Sequence, residues 1–597
     1  MKKVLLTGVV LMAFAAAGFA QNTSTVNQNG NSQTANVMQV GNQQTSVINQ
    51  NTGGATGANT NYGNLGATFQ GMPGNPNNTG PNMATINQNN GSQGNRAGAT
   101  QKGANQTSTI NQNGGADGLS GGSTTVATLN NAGGNGNFAG TKQQGNLGTA
   151  VINQNNKSSQ NEAEVRQNGG GATVNTGTIN QSNNSVNNDG FIYQGYTAPD
   201  NSGAVVNNDK ATINQGKTNP GDVNYTPGVA AESINNQARI TQTASDNTAT
   251  IDQGATVDID GDGAISAGRS AGSSGTIMQT NTGNTGSIDQ GVESGEAVGS
   301  QATLTQIGTG NSGDITQGGL KYGRDLGSTA TITQRGMVST ATIVQGYLGI
   351  TSGGNEATIT QTANANSTEA YVFQGFGGNS TSTHDKATIT QGGSGDNYAK
   401  VVQGMSANTG TANSNDNVAT ITQADGTSNS EALINQGRDA GGSAQGNTAT
   451  INQQSGDLNQ ALVSQGREKS ISTAGGMVNT GVSSVNSAGS VTQSGNSNTG
   501  LLYQAGTSND ATINQNGNTN QARLYQKSTG ATGNDATIGQ TGNGNILQGG
   551  AAGQFALQSG DANTLNLTQN STGGSGHTAN VNQMGMGNNS TITQTSN

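Results

Sequence analysis

Residues 504–526 read Gln504-Ala-Gly506-Thr-Ser-Asn509-Asp-Ala511-Thr-Ile513-Asn-Gln515-Asn-Gly517-Asn-Thr-Asn520-Gln-Ala522-Arg-Leu524-Tyr-Gln526. Glutamine returns every eleven residues, and before each of the last two come Asn, then a small residue, then Ile or Leu, at spacings of two. Residues two apart share one face of a β-strand and point to different sides of a helix, so the pattern predicts strand. Across the repeats the other face is mostly Thr, Asn and Ser. Gly506 and Gly517, two residues past a key glutamine, predict a tight reversal that uses positive φ. Each unit is therefore one short strand and one turn.

The frame extends in both directions. It opens with Gln28, Gln39 and Gln50. It continues through Asn247, Ala249, Ile251 and Gln253, then Asn311, Ile315 and Gln317, and closes with Asn588, Ser590, Ile592 and Gln594. Gly30, Gly41, Gly308, Gly336 and Gly585 repeat the turn position. The chain carries about 38 copies, some degenerate. From Gln242 the intervals run 11, 26, 11, 16, 11, 17, 11 and 16, so short and long gaps alternate. Two strands then make one rung, with tight turns on one edge and variable loops mostly on the other. All six prolines fall between predicted strands, where no ladder N–H is needed. The expected fold is all-β: a β-solenoid of stacked two-strand rungs, cross-β and amyloid-like. About 19 rungs at the inter-strand spacing of ~4.8 Å would give a rod of roughly 90 Å.

Composition fits such a stack and little else. The 597 residues include 97 glycines, no cysteine and no tryptophan; 29% are hydrophobic and 9% charged. That is too little apolar material for conventional domains and too little charge for charge-driven disorder. Inward Asn and Gln would be costly unpaired, but a carboxamide both donates and accepts. Identical amides one strand-spacing apart can bond along the stack, whereas stacked carboxylates would repel. The net charge of −10 gives nucleic-acid phosphates no electrostatic reason to bind. No paired-carboxylate or nucleophile–base pattern is present, so no enzyme and no cofactor are expected.

The composite Q-x-G-x-x-N-x-A-x-x-x-Q, read in Gln504, Gly506, Asn509, Ala511 and Gln515 and again from Gln515 to Gln526, closely resembles the curlin repeat. Gln306, Gly308, Asn311, Gly313 and Gln317 keep it with Gly for Ala. The resemblance implies a secreted functional-amyloid subunit that self-assembles into fibres for biofilm matrix and adhesion. It also implies an outer-membrane export pore and a surface nucleator as partners. This chain departs from the family in its many repeats and long insertions, which also suit a monomeric surface adhesin. Gln594 stands three residues before Asn597, so an open terminal edge is expected.

Other signals are local. Lys2 and Lys3, an apolar run and Gly18-Phe19-Ala20 predict a signal peptide over residues 1–20, followed by a continuous array over 21–597. No stretch of the mature chain is apolar enough to enter a membrane. Asp258, Asp260 and Asp262 with Gly263 resemble the start of a calcium loop, although Arg269 stands where a bidentate Glu is expected; an acidic insertion loop is the plainer reading. Outward Thr pairs such as Thr248/Thr250 and Thr340/Thr342 resemble the ice-binding faces of some solenoids, but Asp252, Asp289, Asp314, Glu162 and Arg166 interrupt them and read as solubility gatekeepers. Phe69, Tyr193, Phe373, Tyr503 and Tyr525 precede key glutamines and are expected to point outward.

Overall fold

A computed structural model describes residues 22–596, apart from the connections 52–63, 72–80, 114–136, 217–231 and 255–267 and a number of shorter connecting stretches. No helix occurs among the described residues. Two compact units are present, Met1–Gly283 and Asn284–Asn597. The predicted signal peptide and the acidic loop Asp258–Asp262 lie outside the described residues.

Each repeat forms the strand that its alternation dictates. Thr329–Gln334 is typical: Ala330, Ile332 and Gln334 are buried, while Thr329, Thr331 and Thr333 are partly exposed. Successive strands alternate between two parallel sheets. In the first unit Thr23–Asn29 pairs with Gln44–Asn51, which pairs with Asn82–Asn89. The intervening Thr34–Gln39 pairs with Leu65–Gln70, and that with Arg96–Ala104. The sheet carrying Gln28 and its equivalents is termed the first sheet, and that carrying Gln39 the second. In the second unit the same alternation sets Ser312–Gly319 on Thr340–Tyr347 and Gln301–Gln306 on Thr329–Gln334.

Register places glutamine on glutamine and, along much of the stack, isoleucine on isoleucine. In the second sheet Ile332 lies on Ile359, then Ile389, Ile421 and Ile451. A parallel pair needs a long crossover, and here the crossover is a strand of the opposite sheet. The core is correspondingly thin: in most strands one Ile, Val or Leu and one small residue, with Ile251, Ile332, Ile359, Ile513 and Ala357 fully buried and Thr68, Ala99 and Thr141 taking the branched position in three strands of the first unit. Each such branched side chain contributes roughly 1.5–3 kcal/mol, and the gain accumulates along the stack.

The long-gap edge holds an element the repeat did not announce. Short strands sit there and stack in parallel: Arg324–Leu326 on Thr351–Gly353, that on Thr381–Thr383, and that on Asn413–Asn415. Their middle residues Asp325, Ser352, Ser382 and Ser414 are buried. Many rungs therefore have three strands rather than two.

The turn glycines divide into two kinds. Gly41, Gly506 and Gly585 adopt positive φ as expected. Gly308 and Gly336 do not; a Cβ on Gly308 would lie 1.5 Å from the Gly336 carbonyl oxygen, and one on Gly336 1.6 Å from that of Ala365. At these two positions glycine is required by the close approach of the next rung's backbone.

An inside-to-outside contrast tests this assignment. Ile251→Lys or Ile513→Lys puts an unpaired ammonium in the core and should cost several kcal/mol, on the order of 3–5. Thr331→Ser on the outer face should change stability by less than about 0.5 kcal/mol. Denaturant midpoints for the three variants give the comparison; equal losses would reverse the inside and outside faces.

Candidate assembly ladder

The key glutamines of each sheet form a continuous chain of side-chain hydrogen bonds within each unit. In the first unit Gln28 Nε2 donates to Gln50 Oε1 (2.8 Å), Gln50 to Gln88 (2.9 Å), Gln88 to Gln112 (2.8 Å) and Gln112 to Gln154 (2.8 Å). In the second unit Gln317 donates to Gln345, Gln345 to Gln374, Gln374 to Gln403 and Gln403 to Gln436, at 2.8–2.9 Å. The other sheet of each unit repeats this, as Gln39 on Gln70 in the first and Gln569 on Gln594 in the second. The ladder positions Gln253, Gln317, Gln515 and Gln526 are all buried.

Two features make the amide the required group. The Nε2 that reaches the next rung also donates to backbone carbonyls across the turn: Gln403 Nε2 reaches Lys386 O at 3.3 Å and Asn417 O at 3.2 Å. Each of these glutamine-to-glutamine donations also runs toward the higher-numbered rung, so the ladder has a direction. An ionised carboxylate would keep the acceptors and lose every donor.

Asparagine does a different job. Asn509 and Asn520, both fully buried, sit just ahead of their strands. Asn509 Oδ1 accepts the main-chain N–H of Asn534, one rung on in the same sheet, at 3.1 Å. Asn520 Oδ1 accepts that of Asn545 at 3.1 Å. Asn311 plays the same part for Ser339, and Asn563 for Asn588. The N–H of Asn247 in turn donates to Asp209 Oδ1, on the rung before it. These side chains fill main-chain bonds that the turn leaves open. Ala249, Ala511 and Ala522 are buried beside them, as are Ile315 and Leu524.

Sequence reasoning missed two further ladders. On the outer face of the first sheet Asn27, Asn49, Asn87, Asn111, Asn153, Asn180 and Asn214 bond in sequence at 2.7–2.9 Å, and Asn214 donates to Asp252 at 2.5 Å. Asp252 is therefore a buried acceptor rather than a surface gatekeeper. The signal was present as Asn just before Gln in N-terminal repeats. The second ladder joins the short strands: Asn355 Nδ2 donates to Ser352 Oγ (2.6 Å) and to Ser382 O (2.9 Å), and Asn417 Nδ2 to Ser414 Oγ (2.9 Å) and Ala444 O (2.9 Å). It reads as Ser-x-x-Asn inside the long gaps.

A few carboxylates occupy these amide and serine columns, at a cost. Burial pushes Asp325 and Asp385 up to about 6 and Asp209 to about 7, against opposing hydrogen bonds from Ser300 to Asp325, from Ser382 to Asp385 and from Asn247 to Asp209. Asp209 Oδ2 and Asp325 Oδ1 are buried with no hydrogen-bond partner. Glu162 lies in register on Asp189, and burial, then Asp189 and Glu164, raise it to about 7.

The expected outward aromatics are only partly so. Phe69 and Phe373 are half-buried, but Tyr193, Tyr503 and Tyr525 are buried. Tyr503 and Tyr525 pack with Ala505, Phe555 and Leu557 into a small second core outside the first sheet. Threonines do line up, on the second sheet of the second unit: Thr331, Thr358, Thr388 and Thr420 in one column and Thr333, Thr360, Thr390 and Thr422 in the next. The pairs Thr248/Thr250 and Thr340/Thr342 lie on the first sheet, where Asp314 interrupts the column.

The end rungs differ from the rest. Thr23–Asn29 is exposed along its length, with Val26 at 42% exposure and Gln28 open to solvent. Gln39 is half-buried. In the last described rung Asn589–Thr595 alternates between exposed and half-buried, and Asn588, Ile592 and Gln594 keep the ladder's geometry there.

Residues 486–517 and 506–542 each match the family model of the curlin associated repeat. Residues 486–542 carry curlin repeats. Those matched segments contain Asn509, Ala511, Ile513, Gln515, Asn520, Ala522, Leu524 and Gln526, whose side chains form the ladder and the core just described. No curated protein matches the chain. Among the described residues no cluster of His, Asp and Glu is arranged to hold a metal, and no helix is long and apolar enough to cross a membrane.

Two measurements address the curlin ladder. Gln403→Leu removes the donor to Gln436 Oε1 and leaves Gln374 Nε2 with only the Glu356 and Asp385 carbonyls, and should cost roughly 1–3 kcal/mol, read from the denaturation midpoint. The raised carboxyls give a pH dependence of definite sign. Their folded pKa values exceed the ordinary value of 3.8, so ionisation penalises the fold above about pH 6–7. Stability should rise as pH falls from about 7 to about 4. Asp385→Asn and Asp325→Ser, which restore the column's usual residues, should each stabilise the chain at pH 8 by on the order of 1–3 kcal/mol and flatten that slope.

Proposed function

We propose that the chain is a secreted structural protein that self-assembles, by adding strands at its end rungs, into extracellular amyloid fibres for biofilm matrix and adhesion. The observation that carries this reading is the match between the two ends. The N-terminal rung offers the Oε1 acceptors of Gln28 and Gln39 and an exposed Val26; the C-terminal rung offers the Nε2 donor of Gln594 above Ile592. A second copy meets the first with the same donor, acceptor and apolar columns that join rungs inside each unit. The curlin repeat supports a structural rather than catalytic role, and a location outside the cell. An export pore and a surface nucleator belong to the same reading, as does removal of residues 1–20. The mature chain requires no metal or cofactor for assembly; calcium at Asp258, Asp260 and Asp262 is an accessory possibility, tested by adding chelator during fibre growth.

The threonine columns of the second unit support a second reading, a monomeric solenoid that orders water at its surface or serves as an adhesin. Electron microscopy of residues 21–597 diluted from denaturant separates the readings. Long unbranched fibres are expected, and Val26→Lys or Ile592→Lys should suppress their growth while leaving the chain folded. Uniform short rods with thermal hysteresis would replace the fibre by an ice binder, and short rods that retain cell attachment would replace it by an adhesin.

A further inference from the structure

Aromatic side chains are scarce, 10 Tyr and 8 Phe in 597 residues, and the core of Ile and Ala does not use them. Five nevertheless gather on the outer face of three neighbouring strands, Thr340–Tyr347, Glu369–Phe376 and Tyr398–Met405. Tyr347 and Phe376 stack 4.9 Å apart with planes within 4°. Phe373 meets Phe376 edge-on at 5.2 Å, Tyr371 lies 6.3 Å from Phe373, and Tyr398 is 5.6 Å from Tyr371. All five are half-buried, unlike Tyr503 and Tyr525, which bury one another. Polar groups border the rings: Tyr371 Oη donates to Glu369 at 3.1 Å, and Lys400 Nζ stands 4.8 Å from the centre of Phe373.

We propose that this face is a docking platform for a neutral, extended, β-linked polysaccharide, with Tyr371, Phe373, Phe376 and Tyr398 stacking against the sugar rings and Glu369 and Lys400 bonding their hydroxyls. An aromatic face is electron-rich and attracts weakly positive C–H groups, which a pyranose presents on its flat side. Equatorial hydroxyls then point sideways, where the carboxylate accepts and the ammonium donates. Tyr371, Phe373 and Phe376 follow one another along a single strand at 5.2–6.3 Å, with Tyr347 and Tyr398 on the strands to either side, so an extended glycan can touch several in turn.

The area argues against a second copy as occupant. A fully buried aromatic contributes roughly 150–250 Å², and with about two-thirds or more already covered the five offer at most roughly 350 Å², short of the ~800 Å² per partner of a stable protein interface. The chain's net charge of −10 and the carboxylate of Glu369 disfavour a polyanion. This inference does not rest on fibre assembly.

The test titrates the full chain, soluble or assembled, with cellohexaose and chitohexaose, followed by calorimetry and by tyrosine emission, which no tryptophan obscures. Saturable binding is expected to at least one of them, with affinity for maltohexaose about tenfold weaker. Phe373→Ala with Tyr398→Ala should weaken binding about tenfold or more, while Tyr371→Phe, which keeps the ring, and Tyr62→Ala, far along the sequence, should leave it within about twofold. Unchanged circular dichroism confirms that the variants fold. Absence of saturable binding, or equal binding by the double variant, overturns the proposal. Loss of side-by-side association between copies, without sugar binding, overturns it by assigning the face to a second copy.

Discussion

The structure depends on one coincidence of lengths: an amide at the same position on successive strands lies one hydrogen bond from its copy. Parallel, in-register pairing brings identical residues to the inter-strand spacing, and a glutamine carboxamide can donate upward while accepting from below. With that bond in place, the narrow interior needs only one branched apolar residue and one small residue per strand. Without it, each rung would bury unpaired polar atoms whose cost exceeds what so thin a core returns.

The same constraint explains what the core residues have in common and what they do not. Isoleucine, leucine and valine interchange along a column, as where Ile451 lies on Val491 and Val491 on Ile513. Glutamine does not interchange, because its neighbours on both sides need it. Aspartate is tolerated at Asp325 and Asp385 only where several serine or asparagine donors surround a single carboxyl. Charges on the outer face are used sparingly and in complementary order, as where Lys386 Nζ lies 3.0 Å from Glu356 on the rung before it.

Strand, face and register were legible in the sequence because they follow from a period of two and from residues that repeat. The alternation of gap lengths also placed the variable connections mostly on one edge, although in the first unit the connections 52–63 and 72–80 fall on opposite edges. What escaped had other causes. The short third strands lie in the long gaps, where Ser-x-x-Asn recurs at irregular intervals and the key glutamine gives no frame. The burial of Tyr503 and Tyr525 depends on Phe555, supplied by a connection with no repeat signature. The role of Gly308 depends on the Gly336 carbonyl, twenty-eight residues away, which spacing alone does not place nearby.

The in-register columns have a consequence for how the chain reaches this state. Each strand finds its partner a short way along the sequence, as where Ile332 meets Ile359, so the search remains local however many rungs are added. Because the columns are nearly interchangeable, however, a strand could satisfy its glutamine and isoleucine just as well by skipping a rung. What distinguishes one rung from the next lies at the periphery, in the Glu356–Lys386 pair, the matched lengths of the short third strands and the individual connections. The repeat supplies the adhesive, and the irregular parts supply the address.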